Sequence, residues 1–416
     1  MTAVTSSLSD DQRAILALWY EVNASLSAYH KLITSFGYPQ LAWQAKVEAW
    51  KQLGIHHTHL KRHEQPEQTL ANIDKIQLAL IDGRYGLLFA DDADYPAQLS
   101  QIYDPPPLLF YRGNSARLHQ AQIAIVGSRK PTAHAQKITF DMAQYLAQAG
   151  YIVTSGLAMG VDKRAHLGAL AQADPDYHGR TVGVMGTGID VNYPNHRDQL
   201  FIQIVEQGGC IISELLPHTQ PHKHTFPRRN RLVAGLSLAT IVTEATIKSG
   251  SLITARLTSE QGKQVFAIPS HIDNSNAEGC HHLIREGATL VYHPQQVLED
   301  VNGQLDYDKG AYRTANATNS ISNHSNINQT SDAFDIEKKS IKSTSQQPSS
   351  DIKPARSTVI VPENLAAIYE QLDWHGQDLD ALISATKLAP PQLIGQLMEL
   401  ELMGLISEQG GRYLRI

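Results

Sequence analysis

The sequence predicts an α/β protein: an extended Rossmann-like, mostly parallel sheet, set between a small helical N-terminal domain and a winged-helix-like C-terminal domain. Three observations predict it. Between Ile123 and Val301, short runs rich in Val and Ile recur with helical patterns between them, as expected of strands buried on both faces in a parallel sheet covered by helices. Several of these runs end in glycine-bearing turns, which bring free backbone N–H groups to the carboxyl ends of the strands, where ligands of such sheets sit. Near the C-terminus, three helical patterns precede a hairpin signal, the order of a winged helix.

The elements follow in chain order. Residues 1–90 read as a helical, SAM-like module: Ser9-Asp10-Asp11-Gln12 is a helix start, Ala14 to Tyr29 carries apolar residues at helical spacing, and Gly37-Tyr38-Pro39 and Gly54 break the later pieces. No glycine hairpin of the DNA-binding kind joins these helices, so a packing role is expected. Residues 91–122 form a connector. It continues an extended text that begins at Gly86 and includes Leu87-Leu88-Phe89, Pro105-Pro106-Pro107 and a short strand at 108–112. The main domain, 123–301, has strand candidates at Ile123–Val126, Tyr151–Thr154, Thr181–Met185, Cys210–Ser213, Ala239–Val242, Val265–Ile268 and Thr289–Tyr292. Residues 302–356 are dominated by Asn, Ser, Thr and charged residues and are expected to be a disordered linker. In the last domain, 357–416, helices are expected over Glu363–Leu372, Leu379–Thr386 and Pro390–Met403, the last with proline in its first turn. Leu405–Glu408 and Arg412–Arg415 then flank Gln409-Gly410-Gly411. The third helix, with Met398-Glu399-Leu400-Glu401-Leu402, has no basic recognition face, which speaks against major-groove reading and leaves a protein-interaction wing open.

Composition narrows the function. The 416 residues carry 35 Lys+Arg against 41 Asp+Glu, a net charge of −6, and the stretch 121–300 balances at 15 against 15. A nucleic-acid site must therefore concentrate its positive charge locally. The two cysteines, Cys210 and Cys280, form no disulfide framework or CxxC metal site. No run approaches the length of a membrane span, and a reducing cytoplasm is the expected compartment. No metal or cofactor is expected: the His222/His224 pair has no third ligand at suitable spacing.

Five turns can carry chemistry. Gly127-Ser128-Arg129 follows the first strand of the main domain, its glycine permitting close approach and its arginine offering a fork of donors to phosphate, or else a salt bridge. Ser155-Gly156-Leu157-Ala158-Met159-Gly160 ends the next strand; Asp162 is read as the cap of the following helix, Lys163 stands in its first turn, and His166 is read as a packed or capping histidine rather than a base. Gly186-Thr187-Gly188 with Tyr193-Pro194 is a third loop, in which Tyr193 either stacks on a base or packs. Phe226-Pro227-Arg228-Arg229-Asn230-Arg231 places three arginines at a helix start, beside an aromatic, as suits single-stranded nucleic acid. Finally, Ser249-Gly250-Ser251 opens a helix after the Ala239–Val242 strand. The chain lacks the GxGxxG fingerprint of a dinucleotide-dependent oxidoreductase.

Taken in order, Val126-Gly127-Ser128-Arg129, Ser155 to Asp162, Gly186-Thr187-Gly188-Ile189-Asp190 with Tyr193-Pro194, Ser213-Glu214, Phe226 to Arg231, Glu244-Ala245 with Ser249 to Ala255, and Gly279 with Leu283-Ile284 and Gly287-Ala288 resemble the DNA-processing protein A (DprA/Smf) family. The resemblance implies a domain that binds single-stranded DNA, a homodimer formed through it, loading of the RecA recombinase, a role in natural transformation and no catalytic activity. It puts Arg129 in the family's basic DNA pocket. Ser270 stands where the family usually has glycine, and Asn195 where some relatives have lysine. The alternative is a nucleotide-processing relative of the N-glycoside phosphoribohydrolase type. Its PGG-x-GT-x-x-E turn is missing from Glu244 to Ser251.

Overall fold

The computed structural model describes residues 8–172, 174, 177–194, 198–302, 362–372, 377–386, 388–402, 405–409 and 412–415. Residues 303–356 of the expected linker lie outside these. The chain divides into two bodies, Met1–Asn326 and Ile327–Ile416.

The first body opens with α1 (Asp10–Glu21), α2 (Leu26–Phe36), α3 (Pro39–Gln44), α4 (Val47–Gln52), α5 (His57–His63) and α6 (Pro66–Ile81). Ser9 and Gln12 form a reciprocal capping box at the start of α1. The apolar periodicity from Ala14 to Tyr29 spans two helices because Asn23 and Ala24 turn the chain at positive φ. Trp19 is fully buried, and its Nε1 donates to the Glu214 carbonyl at 2.9 Å, tying the helices to the sheet.

The sheet has nine strands: β1 (Gly86–Phe89), β2 (Leu108–Gly113), β3 (Gln122–Val126), β4 (Ile152–Ser155), β5 (Thr181–Val184), β6 (Cys210–Ser213), β7 (Ala239–Val242), β8 (Gln264–Ala267) and β9 (Thr289–Leu290). Their spatial order is β1-β2-β6-β5-β4-β3-β7-β8-β9. From β6 to β9 every pairing is parallel; β1 and β2 join antiparallel at the β6 edge. Residues 86–113, extended connector text in the sequence, thus supply two strands, with Leu108, Leu109 and Phe110 fully buried.

Helices α7 (Ala133–Gln148), α8 (Val161–Leu170), α9 (Asp198–Glu206), α10 (Thr225–Leu236), α11 (Ser251–Glu260), α12 (Glu278–Arg285) and α13 (294–302) accompany the strands. Strand alternation divides the core between the two faces. Ile123 and Ile125 join Met142, Leu146 and Val161 on one side. Ala124 and Val126 join Leu232, Val233 and Leu236 on the other. Because β4–β6 lie to one side of β3 and β7–β9 to the other, the winding reverses between β3 and β7. That is the topological switch point.

The second body contains α14 (Glu363–Gln371), β10 (Gln377–Asp378), α15 (Leu379–Thr386), α16 (Pro390–Leu402), β11 (Ile406–Gln409) and β12 (Arg412–Arg415). The expected hairpin forms between β11 and β12, and β10 adds a third strand that its two residues do not announce in the sequence. Leu365, Ile368, Leu382, Leu393, Leu397 and Ile406 make a core of its own. Among the described residues no helix is long and apolar enough to cross a membrane. Cys210 and Cys280 are buried free thiols, and burial raises the pKa of each to about 12.

Candidate nucleic-acid interface

The Gly127-Ser128-Arg129 turn leaves β3 at the switch point and is held from both sides. Ser128 N donates to the Glu244 carbonyl after β7 at 2.6 Å, and Ser128 O accepts from Val161 N at 3.0 Å. The buried Glu244 carboxylate accepts from Thr132 N (3.0 Å) and Thr132 Oγ1 (2.7 Å), and Thr132 in turn caps α7. Glu244 is therefore an anchor. Arg129 is exposed, with its guanidinium carbon 6.0 Å from the centre of the Phe226 ring.

The turn after β4 fits against this one. Ser155 Oγ donates to the Ile125 carbonyl at 2.6 Å. Gly160 has φ +81°, and a Cβ there would stand 2.3 Å from the Ser128 carbonyl oxygen. The helix cap is corrected: Gly160, not Asp162, is the N-cap of α8. Asp162 instead accepts from Ala158 N at 3.1 Å and so ties down the loop. Burial raises the Asp162 pKa, opposed by the nearby Arg229. Lys163 follows in the first turn of α8. His166 is the packed histidine expected: its Nδ1 lies 2.7 Å from Thr181 Oγ1, and burial lowers its pKa to about 3, so it is neutral.

In the loop after β5, Gly186 O accepts from Thr225 Oγ1 at 2.6 Å. Gly188 makes room for protein backbone rather than a ligand. It is buried, its N–H donates to the Thr219 carbonyl at 2.9 Å, and a Cβ would stand 2.5 Å from the Leu216 carbonyl. Tyr193 is 38% exposed and packs on Phe226 with ring centres 5.3 Å apart. Asn195-His196-Arg197 lie outside the described residues.

The arginine cluster departs most from the expectation of free phosphate contacts. Arg229 is buried, its Nη1 bonded to the carbonyls of Gly156 and Val184. Burial lowers its pKa to about 10, with Asp162 opposing, so it stays charged at neutral pH. Arg231 is also buried and paired with Glu214. Arg228 lies 3.0 Å from the same carboxylate and donates to the Ala24 carbonyl at 2.7 Å. Asn230 Nδ2 donates to the Gly250 carbonyl at 3.2 Å. The physical reason is Glu214 at the end of β6, a 2%-exposed carboxylate that answers two cations at a helix start.

Arg129, Gly156, Met159, Gly186, Tyr193 and Phe226 surround a cavity of about 110 Å³. Its wall is aromatic and aliphatic, its rim carries backbone turns, and its exposed charge is Arg129: a flat apolar group would be held beside a phosphate. Ser249-Gly250-Ser251 lies across the switch point at the start of α11, outside this cavity. Ser249 and Gly250 border a separate one of about 610 Å³. Tyr193, which the sequence left open between stacking on a base and packing, is a wall of this cavity, and so is Met159, which no pattern of glycines and cations signals; Phe226 was signalled only by its place beside the arginines.

A doubly wound sheet with backbone turns at its switch point, joined in one chain to a winged helix, defines the class. The family model for DNA recombination-mediator protein A matches residues 86–302, and that for the DprA winged helix domain matches residues 353–412. The chain belongs to the DNA recombination-mediator protein A (DprA/Smf) family. It is 36% identical over 333 residues to Protein Smf of Synechocystis, covering 79% of each chain. It is 44% identical over 209 residues to DNA processing protein DprA of Streptococcus pneumoniae, covering 50% of this chain and 72% of that protein. The X-ray structure of DNA processing protein A from Streptococcus pneumoniae superposes with a TM-score of 0.58 at 33% identity, over 69% of this chain and 97% of that one.

Proposed function

We propose that this protein binds single-stranded DNA along the carboxyl edge of its sheet and, as a homodimer in the cytoplasm, protects incoming strands and loads RecA recombinase onto them during natural transformation. The observation that carries the DNA reading is the convergence of three strand-end turns on an aromatic cavity with Arg129 at its mouth. Gly127, Ser128, Arg129, Gly156, Gly160, Lys163 and Gly186 form the contacting edge, Ser155 is buried and holds that edge through the Ile125 carbonyl rather than touching a ligand, and Ser249-Gly250-Ser251 extends it beyond the switch point. Arg229 supports this edge from beneath, and Arg228 and Arg231 steady α10. Such a site neutralises phosphates and stacks bases without reading sequence. The enzymatic alternative needs an available carboxylate. Glu214 and Glu244, its candidates, are both buried and committed, to arginines and to Thr132.

Replacing Arg129 with Glu tests the reading. Affinity for a dT oligomer at fixed salt should fall at least about tenfold, with a shallower salt slope; unchanged binding would sink the assignment. Because Arg129 is exposed, the variant should retain the wild-type unfolding temperature.

A further inference from the structure

Between the N-terminal helices and the sheet lies a solvent-open cleft of about 890 Å³ that the strand-end site does not include. Its lining carries Arg62, Lys75, Arg84, Arg112 and Arg228 against a single carboxylate, Asp190. In a chain of net charge −6 this is a local concentration of positive charge. Little of it is answered by a buried carboxylate. Arg62 Nη1 donates to a neutral group, the Tyr20 carbonyl, at 2.7 Å. Asp190 is occupied by His218, whose Nδ1 lies 2.5 Å from its carboxylate and whose backbone N–H donates to it at 2.6 Å. Arg112 bonds a neutral partner, Asn192, at 3.4 Å. Lys75 is exposed and has no carboxylate partner among the described residues. Arg84 meets Asp82 at 3.3 Å in an exposed pair that a competing phosphate can displace. Behind Arg228, the one Glu214 carboxylate serves two arginines and leaves a positive surplus.

The cleft and the strand-end cavity share a wall. His222, His224, Thr225 and Arg228 line the cleft, while Phe226 and Arg229 line the cavity. A chain leaving the cavity over Phe226 therefore crosses the N-terminal turn of α10, a helix end that favours phosphate, and arrives among these cations. We propose that the cleft is a second tract of the DNA site. It receives the sugar–phosphate backbone of the same single strand whose base end occupies the strand-end cavity, and it lengthens the footprint without adding sequence preference. This rests on the single-stranded DNA reading above.

The test compares the full chain with Lys75→Glu/Arg84→Glu by fluorescence anisotropy, on dT oligomers of about 6 and about 20 nucleotides. The double variant is expected to bind the long oligomer about tenfold or more weakly, with the salt slope reduced by about 1.4 for two lost contacts, and the short oligomer as the wild type does. Lys75→Gln/Arg84→Gln should fall between them. Lys46→Glu/Lys51→Glu, exposed positions outside the cleft, imposes the same charge change and should leave both affinities alone. Wild-type affinity of the Lys75→Glu/Arg84→Glu variant for the long oligomer overturns the proposal and leaves the cleft to an acidic protein surface. An equal loss in the Lys46→Glu/Lys51→Glu control overturns it as well. The cavity reading fails separately, if Arg129→Glu keeps its grip on the short oligomer.

Discussion

From a site with 6% exposure, Arg229 holds the carbonyls of Gly156 and Val184, two points on adjacent strand ends, while Asp162 holds Ala158 of the same turn. A buried cation and a buried carboxylate thus fix the shape of a loop whose outer surface meets solvent. Each offsets part of the other's desolvation. Gly160 closes that loop onto the Gly127–Arg129 turn at a φ that side chains rarely adopt. Gly160→Ala should therefore cost about 1–3 kcal/mol. It should also push the Ser128 carbonyl away, lowering both the unfolding temperature and the affinity for single-stranded DNA. A variant that kept full stability but lost binding would mean that the turn is strained for the ligand rather than for the fold. The types of these residues were plain in the sequence, but their duties were not. Asp162 looks like a helix cap because the pattern starts the helix at Lys163, whereas α8 begins two residues earlier, at Val161. Arg228 and Arg231 look free because Glu214, their counter-ion, is 14 and 17 residues away in the chain. Local pattern carries no information about such a pairing.

Among the elements, those defined by their own periodicity were legible. The runs at Cys210–Ser213, Ala239–Val242 and Leu379–Thr386 coincide with β6, β7 and α15. Elements defined by partners were harder to see: β1 pairs with β2 and the two-residue β10 with β12, and each is a strand because that neighbour offers hydrogen bonds. The N-terminal helices supply an example with a pH signature. Glu21, 1% exposed, accepts from His63 Nδ1 at 2.7 Å, Thr69 Oγ1 at 3.0 Å and Trp43 Nε1 at 3.1 Å, and Trp50 stacks on the His63 ring at 3.9 Å. Burial acts to lower the His63 pKa, but the Glu21 and Ala45 hydrogen bonds outweigh it, and the pKa lies above its ordinary 6.5. A raised folded-state value means that protonation stabilises the fold. The contribution is complete below about pH 6.5 and is lost as the pH rises through the folded value. The unfolding-temperature gap between the wild type and His63→Gln should be widest near about pH 6 and narrow by about pH 9. A gap that widens with pH would show that His63 is held neutral.

At the scale of the whole molecule, the sheet and the winged helix each close a core on their own residues. Leu365, Ile368, Leu382, Leu393, Leu397 and Ile406 form one cluster, while the strands and helices up to Val301 bury theirs among themselves. The proposed strand-end site and cleft draw every lining residue from the first body. A chain ending at Asn302 should then unfold cooperatively within about 2 °C of the main transition of the full protein. It should bind a short dT oligomer within about twofold of the full-chain affinity. The piece 357–416 alone has a core of few residues in a chain of a size that is marginal for independent folding, so its transition should be broad and lie lower. Calorimetry of the three chains and anisotropy on the two longest measure this directly. If binding fell with the winged helix removed while the main transition stayed in place, the C-terminal body would be a DNA contact in its own right, despite the acidic pair Glu399 and Glu401 on its third helix. Intact binding would leave that body outside the DNA contact, in keeping with a third helix that has no basic face.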